Sequence, residues 1–112
     1  MKNVQTCAAQ GDVMFVRVES IPASHKPKDA EGGRHVVAHS ETGHHHYLAA
    51  IGVEMLVDPA DPMVCYLRLE SPADVIHARP FHTHETLNLG AGLWQVRRQR
   101  EHTPSGWRAV VD

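Results

Sequence analysis

Two short histidine clusters hold the residues of this chain with the clearest potential for chemistry. The first is TGHHH at 42–46, and the second is HTHE at 82–85. Each contains a His-x-His pair, and on an extended strand the side chains of residues i and i+2 point to the same face. Imidazole nitrogen is a common ligand of zinc, copper, iron and nickel, so two such pairs meeting across a sheet predict a site for a divalent transition metal. The predicted ligands are His44, His46, His82 and His84.

This donor set favours zinc first and nickel or iron next, and it assigns no reaction. Zinc takes about four ligands, at roughly 2.0–2.1 Å for nitrogen, and three histidines with a water molecule leave an exchangeable position. A closed shell of four histidines favours a structural or sequestering role, whereas an open shell permits hydrolysis or oxygen chemistry. The acids near the clusters that could act as general acid or base are Glu41 and Glu85. Whether the chain is an enzyme stays open.

A small β fold with His-x-His invites comparison with the cupin family, and the remaining cupin ligands do not match. The first cupin motif follows His-x-His with a glutamate and then a glycine, but Ala50 and Ile51 stand at the corresponding places after the first cluster. The turn LGAG at 89–92 resembles the second cupin motif, yet Gln95 stands where that motif has its histidine. A cupin-like metalloenzyme is therefore kept only as a further alternative.

Other chemical signatures find little support in the sequence. The stretch HETLN at 84–88 ends in asparagine where the zinc-protease pattern His-Glu-x-x-His needs its second histidine, and the glycines that follow disfavour the required helix. Cys7 and Cys65 are lone thiols, and Cys65 is expected in the core. The basic strand end RRQR at 97–100 could hold a phosphate or a nucleic-acid backbone, but its arginines alternate between the two faces of a strand.

Size and composition predict one soluble domain over 1–112. The chain has 112 residues, 42% of them hydrophobic, and a formal net charge of -2, so no general attraction to nucleic acid or to a membrane is expected. Neither a signal-type apolar segment nor an apolar run of membrane-spanning length occurs. Two cysteines form no disulfide framework, which is typical of a cytoplasmic protein. A homodimer through an edge strand is compatible with this pattern, but no residue selects it.

The hydrophobic pattern consists of short strands separated by turns. Runs rich in β-branched and aromatic residues lie between glycine, proline and aspartate turns, and no segment keeps a helical apolar period over three turns. The chain is therefore expected to be all-β, a small barrel or sandwich of about eight short strands. The polar residues 22–33 are expected to form a mobile surface loop. The expected strands are 13–18, 34–39, 44–50, 53–57, 63–70, 75–78, 93–99 and 107–111.

Several blocks of the chain together resemble a group of small proteins encoded in bacterial and bacteriophage genomes, for which no activity is established. The most specific blocks are Gln-Gly-Asp-Val at 10–13, Thr-Gly-His-x-His at 42–46 and Arg-Gln-Arg-Glu at 98–101. The resemblance supports a second interpretation of a different class. In that interpretation the chain is a metal-free accessory or interaction module that uses its β surface or its basic strand end.

The resemblance also implies which histidines belong to the group's motifs. It identifies His44 and His46 as the histidines of Thr-Gly-His-x-His, and His84 as the second histidine of a His-x-x-His pair. This chain differs at the first place of that pair, which holds Phe81, with His82 beside it. His82 is therefore the fourth predicted ligand, by proximity rather than by the motif.

Overall fold

The computed structural model of the protein describes residues 1–38, 45–77, 85–98, 100–103 and 106–109. Every regular element in these residues is a β-strand, so the expected all-β class is confirmed. No helix long and apolar enough to cross a membrane occurs in the described part of the chain. The thirteen strands in this part are β1 (Lys2–Val4), β2 (Cys7–Gln10), β3 (Val13–Val18), β4 (Lys26–Lys28), β5 (Arg34–Ala38), β6 (His46–Ala49), β7 (Val53–Val57), β8 (Val64–Leu69), β9 (Ala73–His77), β10 (Leu87–Leu89), β11 (Gly92–Arg98), β12 (Arg100–Thr103) and β13 (Gly106–Ala109).

Most of these strands belong to two sheets, which makes the fold a sandwich rather than a closed barrel. One sheet has five strands in the order β1-β10-β9-β6-β5, and the other has six in the order β2-β3-β11-β8-β7-β4. The β1–β10 pair is parallel, while the β9 and β5 partners of β6 are antiparallel to it. β12 and β13 form a separate two-stranded hairpin.

One hydrophobic core lies between the two sheets. Phe15 on β3 and Trp94 on β11 are fully buried and come from the six-stranded sheet. Leu48 on β6 and Leu89 on β10 come from the five-stranded sheet and belong to the same core cluster. Truncation of such side chains to alanine typically costs about 2–5 kcal/mol. This packing therefore holds the two sheets, and any residues between them, in a defined relative position.

The expected strands agree best with the structure where the alternating pattern is longest. β3 and β7 have the expected bounds, and β8, β9 and β11 differ from expectation by one or two residues at their ends. Among the strands that the sequence does not predict are β1, β2, β4 and β10, which have only three or four residues and show no usable alternation. β4 lies within the segment 22–33 and pairs with β7. The mobility expected of that segment stays a prediction.

The turn between β2 and β3 places two polar residues at one end of the sandwich. Gln10 pairs with Val13, so Gly11 and Asp12 form a two-residue turn between them. Gly11 has φ 60°, and a glycine at the first central position is typical of the type II′ turn, whose twist suits paired strands. Gln10 and Asp12 are only 2% and 7% exposed, although turns are ordinarily solvated.

Candidate functional site

His46 is the one predicted ligand that the described residues contain. The other three predicted ligands, His44, His82 and His84, lie outside the described residues. His46 is the first residue of β6 and is 1% exposed. Leu48, two residues further along the strand, is also buried, because alternate residues of a strand share one face. His46 therefore points into the sandwich.

The buried amide of Gln10 determines the orientation and the tautomer of His46. Gln10 Nε2 donates hydrogen bonds to the carbonyl oxygens of Val75 and Glu85, at 2.9 and 3.1 Å. Both amide protons are then used, and Gln10 Oε1 faces His46 Nδ1 at 2.9 Å. An amide oxygen only accepts, so His46 Nδ1 carries a proton and donates it. In the neutral imidazole this leaves the lone pair on Nε2.

His77 supports His46 from the neighbouring strand. The two residues lie directly opposite each other in the antiparallel pairing of β6 with β9. Their rings stack with centroids 3.9 Å apart and planes inclined by 10°, and His77 is fully buried. A ring nitrogen binds a metal in the plane of its own ring, so an ion held in this way by one ring lies far out of the plane of the other. In this geometry His77 restricts the rotation of His46, and one ion could not bind both rings.

A carboxylate from the other sheet faces the second nitrogen of His46. Asp12 Oδ1 lies 3.8 Å from His46 Nε2, and the two side chains are 6% and 2% exposed. This distance is too long for a direct hydrogen bond. Glu85, an expected acid–base candidate, has an exposed side chain and turns its backbone carbonyl toward Gln10. Glu41 lies outside the described residues.

Gln10 also connects the parts of the chain that hold the two histidine clusters. One of its carbonyl acceptors belongs to Glu85, the residue that directly follows His84 in the sequence. The imidazole that donates to its oxygen belongs to His46, the last residue of the first cluster. Both hydrogen bonds meet at the one Gln10 side chain, so this amide holds His46 and the backbone of Glu85 together.

The described residues do not by themselves complete a metal site. Within them, no group of three or more histidine, cysteine, aspartate or glutamate side chains is arranged to hold a metal ion. His46 and Asp12 present two donor atoms toward the same space. Further protein ligands of an ion at this place would have to come from outside the described ranges, where His44, His82 and His84 are found.

Sequence reasoning did not select Gln10, Asp12 or His77 as site residues, although each had a local signal. Gln-Gly-Asp-Val is a glycine-containing two-residue turn between strand-forming residues, which is a hairpin signal. Alternation within the expected strand 75–78 already places His77 on the same face as the apolar Val75. Those signals predict inward orientation for Gln10 and His77, but they do not reveal which residues meet.

The two cysteines and the basic strand end differ in their surroundings from this polar cluster. Cys65 is in the core, and burial raises the pKa of its thiol to about 12, with Lys28 acting in the opposite direction. Cys7 is exposed. Arg97 is exposed and donates from Nε to Gln95 Oε1 at 3.0 Å, as residues i and i+2 on one face of a strand can do.

The strands and the buried side chains define an all-β sandwich domain with a polar cluster at one end of its core. By sequence, the chain belongs to the family described as Domain of unknown function (DUF8820), which it matches over residues 9–99. This range contains Gln10, Asp12, His46 and His77. No curated protein and no solved structure matches the chain. Family membership therefore assigns no activity, and the function has to be argued from the site.

Proposed function

We propose that this domain binds a divalent transition metal, zinc first and nickel or iron next, at Nε2 of His46. The other proposed ligands are His44, His82 and His84. The observation that carries the proposal is the hydrogen bond from His46 Nδ1 to the buried oxygen of Gln10. Histidines that bind a metal through one ring nitrogen almost always donate the N–H of the other to a fixed acceptor, which orients the ring and raises its basicity.

The stacking of His46 on His77 disfavours a positive charge on both rings at once. A histidine must lose its second ring proton before it can bind a metal ion. Because His46 and His77 stack with centroids 3.9 Å apart, positive charges on both rings would repel each other in a buried environment. In a neutral His46 ring, the Gln10 hydrogen bond keeps the proton on Nδ1 and places the lone pair on Nε2.

The reaction, if there is one, depends on how many ligands complete the shell. A fourth histidine would close the site and support a structural or sequestering role, and water in that place would support hydrolysis or oxygen chemistry. From the sequence blocks we further propose a bacterial or bacteriophage origin, and from the two lone cysteines a cytoplasmic location. The metal-free interaction module is the alternative that the following measurement would favour if no metal is found.

The first test is the metal content of untagged protein purified without added metal, measured by mass spectrometry of the elements. We expect near-stoichiometric transition metal in the wild type and a large loss in His46→Phe and in His84→Ala. His77→Phe is the matched control, because phenylalanine preserves the stacking surface while it removes both ring nitrogens. Trace metal in the wild type that neither ligand substitution changes would contradict the proposal.

Acid provides a second test of the same site. Ligand imidazoles must stay neutral, and an ordinary imidazole titrates at about pH 6.5, so bound metal should be released below about pH 6. The melting temperature should fall in the same range and should fall equally when a chelator removes the metal at pH 8. A melting temperature that is unchanged from pH 8 to pH 5 would show that these histidines hold no metal.

A further inference from the structure

Arg98 is an arginine on the inward face of a strand. Trp94 and Val96 on β11 are buried, and Arg98 is the next residue in the same alternating series. Its partner in the register with β3 is Val13, which is fully buried. Directly opposite residues of an antiparallel pair lie on one face of the sheet. Arg98 is therefore partly buried at a position where the pattern of the strand calls for an apolar residue.

The guanidinium of Arg98 lacks the partners that a buried cation needs. Its Nε is buried and has no hydrogen-bond partner among the described residues. The ion pairs in the described part of the chain do not include Arg98. Arginine stays protonated in proteins, so it cannot lose its charge on burial as lysine or histidine can. Burial of such a group is costly unless an anionic acceptor is present.

Arg98 lies at the end of the sandwich that holds the polar cluster of Gln10, Asp12 and His46. Its register partner Val13 directly follows Asp12, the second residue of the turn between β2 and β3. The carboxylate of Asp12 faces Nε2 of His46 at 3.8 Å, so the nearest acid in the register is directed toward another cation. The charge of Arg98 therefore faces the space in which a ligand would approach the polar cluster.

We propose that Arg98 binds the oxyanion group of a small ligand, a carboxylate or a phosphate, at this end of the sandwich. A guanidinium presents its N–H groups as a planar fork that matches two oxygens of such a group. The unpartnered Nε–H supplies one side of that fork. Arg97 is unsuited to this role, because it is exposed and its Nε already donates to Gln95 Oε1 at 3.0 Å. This proposal goes beyond the metal-binding function and does not require it.

The experiment compares Arg98→Met with Arg97→Met in the full chain, kept metal-free by a chelator. The probes are inorganic phosphate, acetate and chloride at equal ionic strength, and the rise of the melting temperature with concentration gives each affinity. We expect phosphate, acetate or both to stabilise the wild type more than chloride does. Arg98→Met should weaken this binding at least tenfold, since hydrogen bonds to charged groups are among the strong ones. Arg97→Met, the matched control, should stay within about twofold of the wild type.

Two further measurements separate binding from a structural role. Without oxyanion, Arg98→Met should melt no lower than the wild type, because methionine removes an unpaired charge and keeps the apolar stem. Arg98→Lys keeps the charge without the fork, so its affinity should lie between those of the wild type and Arg98→Met. Stabilisation by phosphate alone, or by acetate alone, identifies which oxyanion the site prefers.

Two results would overturn the proposal. The first is a wild type that phosphate and acetate stabilise no more than chloride, and the second is equal weakening in Arg97→Met and Arg98→Met. Because the protein is metal-free throughout, either result leaves the proposed metal binding to its own test.

Discussion

Two histidine–aspartate pairs in this domain have the same separation and different surroundings. His46 Nε2 lies 3.8 Å from Asp12, and His25 Nε2 lies 3.8 Å from Asp61. Both imidazoles are buried, but the side chain of Asp12 is 6% exposed and that of Asp61 is 46% exposed. Water can solvate Asp61, so its charge needs no partner. Asp12 lacks that degree of solvation, and its charge has to be compensated within the protein.

The other ring nitrogens of the two histidines differ as well. His46 Nδ1 donates to a buried amide that is itself held by two backbone carbonyls. His25 Nδ1 lies 3.3 Å from the hydroxyl of its neighbour Ser24, and the His25 ring meets Tyr66 edge-on at 4.8 Å. A histidine–aspartate distance therefore does not identify a binding site by itself. A fixed acceptor behind the ring and a desolvated carboxylate in front of it distinguish the two pairs.

The largest expected difference between the pairs is their response to metal. Addition of zinc at 100 times its dissociation constant should stabilise the wild type by about 2.7 kcal/mol, since a ligand that binds only the folded state shifts the equilibrium by mass action. His25→Phe should keep this increment, and His46→Phe should lose it. Urea unfolding with and without zinc measures both. Equal loss in the two variants would remove the distinction between the pairs.

The next largest effect is expected from removing the hydrogen-bond partner of Nδ1 in each of the two histidines. Gln10→Ala should weaken metal binding about 10- to 100-fold, because His46 Nδ1 loses the partner that orients the ring. It should also destabilise the metal-free protein by roughly 1–3 kcal/mol, because buried carbonyls lose their donors. Ser24→Ala, the corresponding change beside His25, should alter neither quantity by a comparable amount. Isothermal titration measures the metal affinity, and urea unfolding measures the stability of the metal-free protein. Equal effects of Gln10→Ala and Ser24→Ala would contradict the difference between the two histidine–aspartate pairs.

The comparison assumes that burial decides which charge state a group keeps, and Cys65 tests that assumption. Burial raises the pKa of its thiol from 9.0 to about 12, so between these values the unfolded chain loses a proton that the folded chain retains. Stability is therefore fully present below pH 9 and should fall by about 1.4 kcal/mol per pH unit above it. Cys65→Ala should remove this slope, measured as urea midpoints from pH 8 to pH 10.5. An unchanged slope in Cys65→Ala would show that other groups cause it.

The smallest expected effect belongs to the exposed aspartate. Asp61→Asn should change the free energy of unfolding by less than about 0.5 kcal/mol, because a half-exposed charge is screened by water and salt. Urea unfolding at low and high ionic strength measures this difference. A loss well above 1 kcal/mol would mean that His25 and Asp61 form a structural ion pair, and the two pairs would then be less different than their exposure indicates.

The parts of the fold that the sequence predicts are those with a long local pattern. Alternation over five or six residues locates β3 and β7, because side chains of a strand face the core at every second position. The three-residue strands β1, β4 and β10 are too short for such a pattern. They exist because they pair with neighbours far along the chain, as β1 does with β10.

For the site as well, some features follow from the local sequence pattern and others only from tertiary contacts. The sequence by itself predicted that His46 lies on a strand and that a glycine turn follows Gln10. Only the tertiary structure decided that Gln10 meets His46, 36 residues away, and a carbonyl 65 residues away at Val75. Such contacts depend on strand order and register, which are set by packing between distant segments and not by any local period. The same packing buries Asp12, whose side chain is 6% exposed, beside His46.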